Sequence, residues 1–150
     1  MERILMKAMI TSISEVLETM FFTPVEIGPE MMFEESCVEK NTSIACQLTF
    51  TGDTSGKLII VSPAELTADM AENFMGESKD QLTQEHLSGT LAEMLNMVCG
   101  NALSKIKQKE PYELGIPELI PSSDLNEKNA CVLIETIDSR MAVLLVIDEN

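Results

Sequence analysis

The chain has 150 residues, of which 45% are hydrophobic, so we expect one domain over residues 1–150 with a packed core. Asp and Glu number 25 against 10 Lys and Arg, which gives a formal net charge of -15. This charge argues against nucleic-acid binding and docking on anionic membranes, and an aromatic content of 4% disfavours stacking platforms for bases or sugars.

The first half of the chain begins with an amphipathic pattern. Apolar residues follow a helical period over residues 3–21. The acidic stretch 30–42 is ambiguous and could be a ragged edge strand. Alternating apolar residues at 44–50 predict a half-buried strand, and a turn at 51–56 connects it to a return strand at 57–61.

A second helix is predicted to start at residues 62–65. Ser62 could cap it, Pro63 suits the first helical position, and Glu65 stands where a capping box would place it. Gly76 is the predicted end, because glycine readily adopts the left-handed conformation that closes helices.

The second half repeats this order with a longer helix. Residues 83–109 carry the helical pattern, and Pro111 ends it. The stretch 112–120 is predicted to be extended. Residues 130–137 and 140–147 predict two strands joined by a tight hairpin. Their nearly continuous apolar character predicts a sheet covered on both faces.

A long helix followed by extended segments thus occurs twice, starting at residues 3 and 83. This order is consistent with a duplication, although helices and strands also alternate by chance. We expect an α+β fold in which the long helices pack on the same side of one antiparallel sheet, with pseudo-duplicated helix-then-strands halves.

The four cysteines (Cys37, Cys46, Cys99 and Cys131) contain no C-x-x-C spacing, so we interpret them as reduced core residues. A single histidine, His86, cannot build a histidine-rich metal site, although it could act as a general base. The N-terminus lacks the apolar segment of a secretion signal, and no apolar run reaches transmembrane length. The simplest expectation is a cytoplasmic protein.

One polar stripe on the longest helix suggests chemistry. Gly89, Glu93, Asn96 and Gly100 are spaced four, three and four residues apart, which places them on one face. Glycine inside a helix costs about 1 kcal/mol relative to alanine, so these glycines indicate that another surface approaches. That surface could be a partner or a neighbouring helix. An amide positions water and a carboxylate anchors a cation, so this pair suits half of a site that a partner completes.

The segment 91–102, LAEMLNMVCGNA, resembles the E-x-x-N helix of the CheC/CheX/FliY chemotaxis phosphatases. The downstream proline of that pattern would be Pro117, as a partner contact, or Pro121. The resemblance implies a CheC-like fold and hydrolysis of the phospho-aspartate of a CheY-like response regulator. Asn96 would orient the attacking water, and Glu93 would pair with the regulator's lysine. The regulator would supply Mg²⁺, so no cofactor is expected in this chain.

The first helix has EVLE at 15–18 as the counterpart of this motif, and Glu18 stands where asparagine would be needed. A carboxylate there would repel phosphate, so we expect one working site. A single site resembles CheX, whose members are implied to be homodimers. The apolar C-terminal hairpin could supply a sheet-edge interface.

Two alternatives remain open at this point. Gly89 stands where the family pattern has Asp or Ser, which favours a non-catalytic adaptor that binds a receiver domain or a flagellar-switch component. An unrelated enzyme could instead use His86 or Cys99, although neither has an evident activating partner in the sequence.

Overall fold

The computed structural model describes residues 2–148. Within these residues there are three α-helices: α1, Glu2–Met20; α2, Ala64–Met75; and α3, Gln84–Ser104. In the same part of the chain, seven strands form one antiparallel sheet: β1, Glu26–Met32; β2, Ser43–Thr51; β3, Gly56–Pro63; β4, Glu113–Leu114; β5, Glu118–Leu119; β6, Ala130–Glu135; and β7, Arg140–Ile147. The α+β prediction is confirmed.

The strand order shows the repeat directly. The strands are arranged β1-β6-β7-β3-β2-β4, and β5 also pairs with β2. If β1, β2 and β3 of the first half are exchanged with β4/β5, β6 and β7 of the second half, the order becomes β4-β2-β3-β7-β6-β1. This is the observed order read from the opposite edge of the sheet. Each half therefore places its first strand against the other half, because β1 pairs with β6 while β4 and β5 pair with β2. This topology matches the expected pseudo-duplicated halves.

Two local features, the first strand and the C-terminal hairpin, differ from the sequence predictions. The ragged edge strand exists, but β1 begins at Glu26 rather than in the acidic stretch, and its register shifts between Ile27 and Glu30, beside Pro29. An edge strand tolerates this proline because one side of it needs no ladder hydrogen bonds. The C-terminal hairpin of β6 and β7 lies inside the sheet, between β1 and β3. It therefore offers no free edge for the predicted interface.

The helix ends follow the sequence only in part. Gly76 closes α2 with φ 71°, and its N–H donates to the Glu72 carbonyl at 3.0 Å, as expected. The predicted capping box at Ser62 is wrong, because Pro63 occupies the N-cap and no side chain caps the helix. The Thr67 hydroxyl instead bonds the Ser62 hydroxyl at 2.9 Å, which satisfies both buried groups.

The sheet is covered on both faces, as its apolar strands predict. All three helices pack their buried stripes on one face, over residues such as Leu48, Ile60 and Val143. Phe33, Val38 and Leu125 cover the other face. The apolar stripe of α3 is buried, as is Ile106 just beyond the end of the helix at Ser104; the stripe consists of Leu87, Leu91, Met94, Leu95, Val98 and Ala102. Each large apolar side chain contributes about 1.5–3 kcal/mol by burial, so this stripe holds α3 against the sheet.

Candidate functional site

The start of α3 is held by its own side chains. The Thr83 hydroxyl accepts a hydrogen bond from the His86 N–H at 3.2 Å, and Nδ1 of His86 accepts one from the Thr83 N–H at 3.0 Å. These reciprocal bonds satisfy two backbone donors at the helix N-terminus. The structure therefore assigns His86 a capping role, and the ring nitrogen that would act as a base is already an acceptor.

Glu93 and Asn96 are both exposed on α3, whereas Met94 and Leu95 between them are fully buried. Side chains three positions apart on an α-helix point in directions about 60° apart, so the two polar groups share one outward face. Neither side chain has a hydrogen-bond or ion-pair partner within residues 2–148. The carboxylate and the amide are therefore both available to a second molecule.

The flanking glycines leave open space on the same face. Gly89 and Gly100 have no neighbouring atom within 4 Å of the position that a Cβ would occupy. Neither glycine therefore makes room for another helix of residues 2–148, which removes the intramolecular explanation for them. We call the face formed by Gly89, Glu93, Asn96 and Gly100 the polar ridge.

A polar network that runs from buried Ser12 to exposed Glu15 and Lys105 connects α3 to α1. The Ser12 hydroxyl donates to the Val98 carbonyl at 3.0 Å, and Nδ2 of Asn101 donates to the Ser12 hydroxyl at 2.8 Å and to Oε2 of Glu15 at 3.2 Å. Nζ of Lys105 donates to both carboxylate oxygens of Glu15, at 3.0 and 3.2 Å. These bonds fix the rotation of α3 about its axis. Sequence reasoning missed this role, although Asn101 lies within the motif.

The counterpart of the motif in α1 differs from the polar ridge at both positions. Hydrogen bonds from Lys105 and Asn101 lower the pKa of the Glu15 carboxyl, which is already engaged within the chain. Glu18 is exposed and offers only acceptor oxygens. These observations support the expectation of one site rather than two.

Pro117 lies on a different element from the polar ridge. It is half-buried between β4 and β5, the two short strands that pair with β2 at the sheet edge. The adjacent strand β5 packs against α3, and Pro121 follows β5 directly after Ile120. A role for Pro117 in partner contact stays a prediction.

The cysteines separate into two groups. Burial raises the pKa of the Cys99 thiol to about 12 and the pKa values of Cys46 and Cys131 to about 11, so these thiols are unreactive core groups. This burial argues against catalysis by Cys99. Cys37 is exposed, and its assignment to the core is wrong, because it lies in a turn with φ 63° between buried Ser36 and Val38.

In the part of the chain that the structure describes, no group of three or more His, Cys, Asp or Glu residues is placed to hold a metal ion. None of the helices in residues 2–148 is long and apolar enough to span a bilayer.

Comparison with known families places this geometry in context. A family model described as chemotaxis phosphatase CheX matches residues 44–136, which is more than half of the chain and includes α3. The chain belongs to the CheX family. A comparison of the sequence with curated proteins found no significant match.

Solved structures of CheX and CheC-like proteins share the fold. CheX from Vibrio vulnificus aligns with a TM-score of 0.76 and 15% identity, covering 96% of this chain and 99% of that chain. CheX from Borrelia burgdorferi, solved in a complex with CheY, BeF3 and Mg²⁺, aligns with a TM-score of 0.76 and 19% identity over 96% of this chain and 97% of that one. A CheC-like superfamily protein from Shewanella sp. PV-4 aligns with a TM-score of 0.77 and 16% identity, covering 99% and 100%.

Proposed function

We propose that this CheX-family chain hydrolyses the phospho-aspartate of a CheY-like response regulator, with Asn96 and Glu93 as the residues that enter the regulator's active site. One observation carries the proposal: both side chains are exposed and without partners on a ridge flanked by two open glycines. The ridge lies in the segment that matches the family model.

The chemistry assigned to Asn96 is positioning. Its amide oxygen accepts a hydrogen bond from water, and its amide nitrogen donates one, without any change of protonation. Water oriented in this way attacks phosphorus, the bond between phosphorus and the aspartyl oxygen breaks, and the products are inorganic phosphate and the free carboxylate. Phosphoryl transfer depends mainly on alignment and electrostatics, so one amide that holds the attacking water in line with the breaking bond is an effective contribution.

The role assigned to Glu93 is to fix the register of the complex. Its exposed carboxylate can form a charge-assisted hydrogen bond with a lysine on the regulator, one turn of helix from Asn96. The regulator would also supply Mg²⁺, which neutralises phosphate charge in such reactions. The two open glycines let the partner surface approach the helix backbone closely.

Two findings support the choice of partner. The family match names a chemotaxis phosphatase, and the similar protein from Borrelia burgdorferi was solved in a complex with CheY. We also propose that the chain forms a homodimer, which follows from its resemblance to CheX.

The test is phosphate release from a phosphorylated CheY-like receiver of the same genome. Wild type should accelerate the decay, and Asn96→Ala should lower this acceleration by about 100-fold, because misaligned water loses most of the positional contribution. Asn41→Ala is the matched control, since Asn41 is also exposed and lies outside α3. Glu93→Ala should weaken regulator binding, with Glu65→Ala, at an exposed position on α2, as its control. Unchanged decay with every cognate receiver would contradict the proposal.

A second candidate function is a non-catalytic adaptor on the same scaffold. It is favoured by Gly89, which occupies the position of Asp or Ser in the family pattern. An adaptor would bind a phosphorylated receiver or a flagellar-switch component without turnover. Binding and hydrolysis measured on one sample distinguish the two functions.

A further inference from the structure

Basic side chains are concentrated at one place on this acidic protein. A groove between the N-terminal half of α1 and the end of α3 is lined by Lys7, Lys105 and Lys107, and no Asp or Glu of residues 2–148 lines it. The chain as a whole has 25 acidic and 10 basic residues. Lys105 is engaged with Glu15, whereas Lys7 and Lys107 are exposed and have no carboxylate within ion-pair distance in the described chain.

The floor of this groove is apolar. Ile4, Ala8 and Ile106 line it together with the lysines and Thr11, and the cavity has a volume of about 430 Å³. Ile4 is 57% exposed, so its apolar surface is accessible to a partner. The groove is open to solvent along its length rather than enclosed. We call it the basic groove.

A neighbouring groove provides a contrast. On the other flank of α1, Arg3 and Lys7 line a surface that also contains Glu2 and Glu30. That surface carries both signs of charge and has no preference for a charged partner. The basic groove, by contrast, combines an apolar floor with positive charge alone.

We propose that the basic groove docks a short acidic segment of a partner protein. An apolar side chain of the segment packs on Ile4 and Ile106, and its flanking carboxylates pair with Lys7 and Lys107. Charge complementarity selects this occupant, because the strongly negative remainder of the surface repels acidic segments and leaves this groove as their site of capture. A protein segment fits better than a small molecule, since small-molecule sites bury most of their ligand and this groove is open.

The probe is a fluorescein-labelled peptide of about 15 residues, with Leu at helical spacing and Glu at the remaining positions. Its binding to the full chain is measured by fluorescence anisotropy at about 0.15 M salt, where repulsion from charges beyond about 8 Å is screened. Two comparison peptides have Lys in place of Glu, or the same composition in scrambled order. The acidic amphipathic peptide should bind more tightly than its scrambled form, whereas binding of the Lys peptide, which the net charge of -15 attracts, should not depend on the groove lysines.

Paired charge reversals identify the site. Lys7→Glu/Lys107→Glu should weaken binding by about tenfold or more, because both ion pairs become repulsive. Lys128→Glu/Arg140→Glu makes the same change of charge at exposed positions that do not line the groove, and it should change binding by less than about twofold. Ile4→Ser should also weaken binding, through the lost apolar contact. Circular dichroism checks that each variant is folded.

Three results would overturn the proposal. The first is equal binding of the peptide by wild type and by the groove variant. The second is equal binding of the scrambled peptide, which would indicate non-specific attraction. The third is binding to phosphatidylglycerol vesicles that is lost in the groove variant while no peptide binds, which would assign the groove to a membrane surface instead.

Discussion

Replacing the ridge glycines by alanine should make the protein more stable and less active. Gly89 and Gly100 both lie within α3 at ordinary helical φ values, and a Cβ at either position meets no atom within 4 Å. An added methyl group therefore costs nothing in the free chain. If a partner backbone approaches the polar ridge, the same methyl group enters the contact and weakens the complex.

The magnitude follows from helix propensity. Glycine in a helix interior is about 0.8–1.0 kcal/mol less favourable than alanine, so each substitution should raise the free energy of unfolding by that amount. The two sites are 11 residues apart, or about 16 Å along the helix axis, so their effects should add. For a chain of this length, each kcal/mol corresponds to a rise in Tm of about 2–4 °C.

The assay pairs thermal unfolding with phosphate release from the receiver. Gly89→Ala and Gly100→Ala should raise Tm and lower the acceleration of dephosphorylation, whereas an alanine in place of Glu65, exposed on α2, should leave that acceleration unchanged. Lower Tm values would show that the glycines serve packing within the chain. Raised Tm values with full activity would show that no partner approaches this face closely.

Three further predictions concern the rest of the molecule. Ser12→Ala should lower the free energy of unfolding by about 1–3 kcal/mol in denaturant titrations, because it removes the buried bond between α1 and α3 and an acceptor of Asn101; an unchanged midpoint would contradict this. Since hydrogen bonds from Lys105 and Asn101 lower the pKa of Glu15, its stabilising effect is present above its ordinary value of 4.5 and lost as pH falls through the lowered value. The stability difference between wild type and Glu15→Gln should therefore shrink below pH 4.5, and a constant difference would refute this pairing. Thiol titration at pH 8 should label Cys37 alone in the native protein and the three buried cysteines only in denaturant; native labelling of two or more thiols would contradict the burial.

Elements with strong periodicity were predictable from the sequence. The stripe of α3 and the alternation in β2 follow from burial on one face, which a sequence displays directly. The sequence prediction placed the edge strand β1 too late in the chain. Its ladder with β6 joins residues about 100 positions apart, and the acidic composition near it carries no periodic signal. The predicted cap at Ser62 does not form because Pro63 occupies the N-cap, and the Ser62 hydroxyl accepts a local hydrogen bond from Thr67 instead.

The candidate site was predictable to the level of residue and face. Spacing placed Glu93 and Asn96 on one outward stripe, and the structure finds both exposed. The network through Asn101 was not predictable, because its partner Ser12 lies 89 residues away in sequence. The exposed position of Cys37 depends on a left-handed backbone conformation that its sequence context does not indicate.

The exchanged edge strands have a consequence for synthesis of the protein. β1 pairs with β6 and β3 pairs with β7, so strands that are synthesised early pair with strands that are synthesised last. On the ribosome, the helices of the first half can form while its sheet stays incomplete until Ile147 has emerged. Such long-range pairing slows folding and leaves apolar strands open in the meantime. The interlocked halves therefore assemble together, and the sheet that supports the polar ridge is complete only once the last strand is in place.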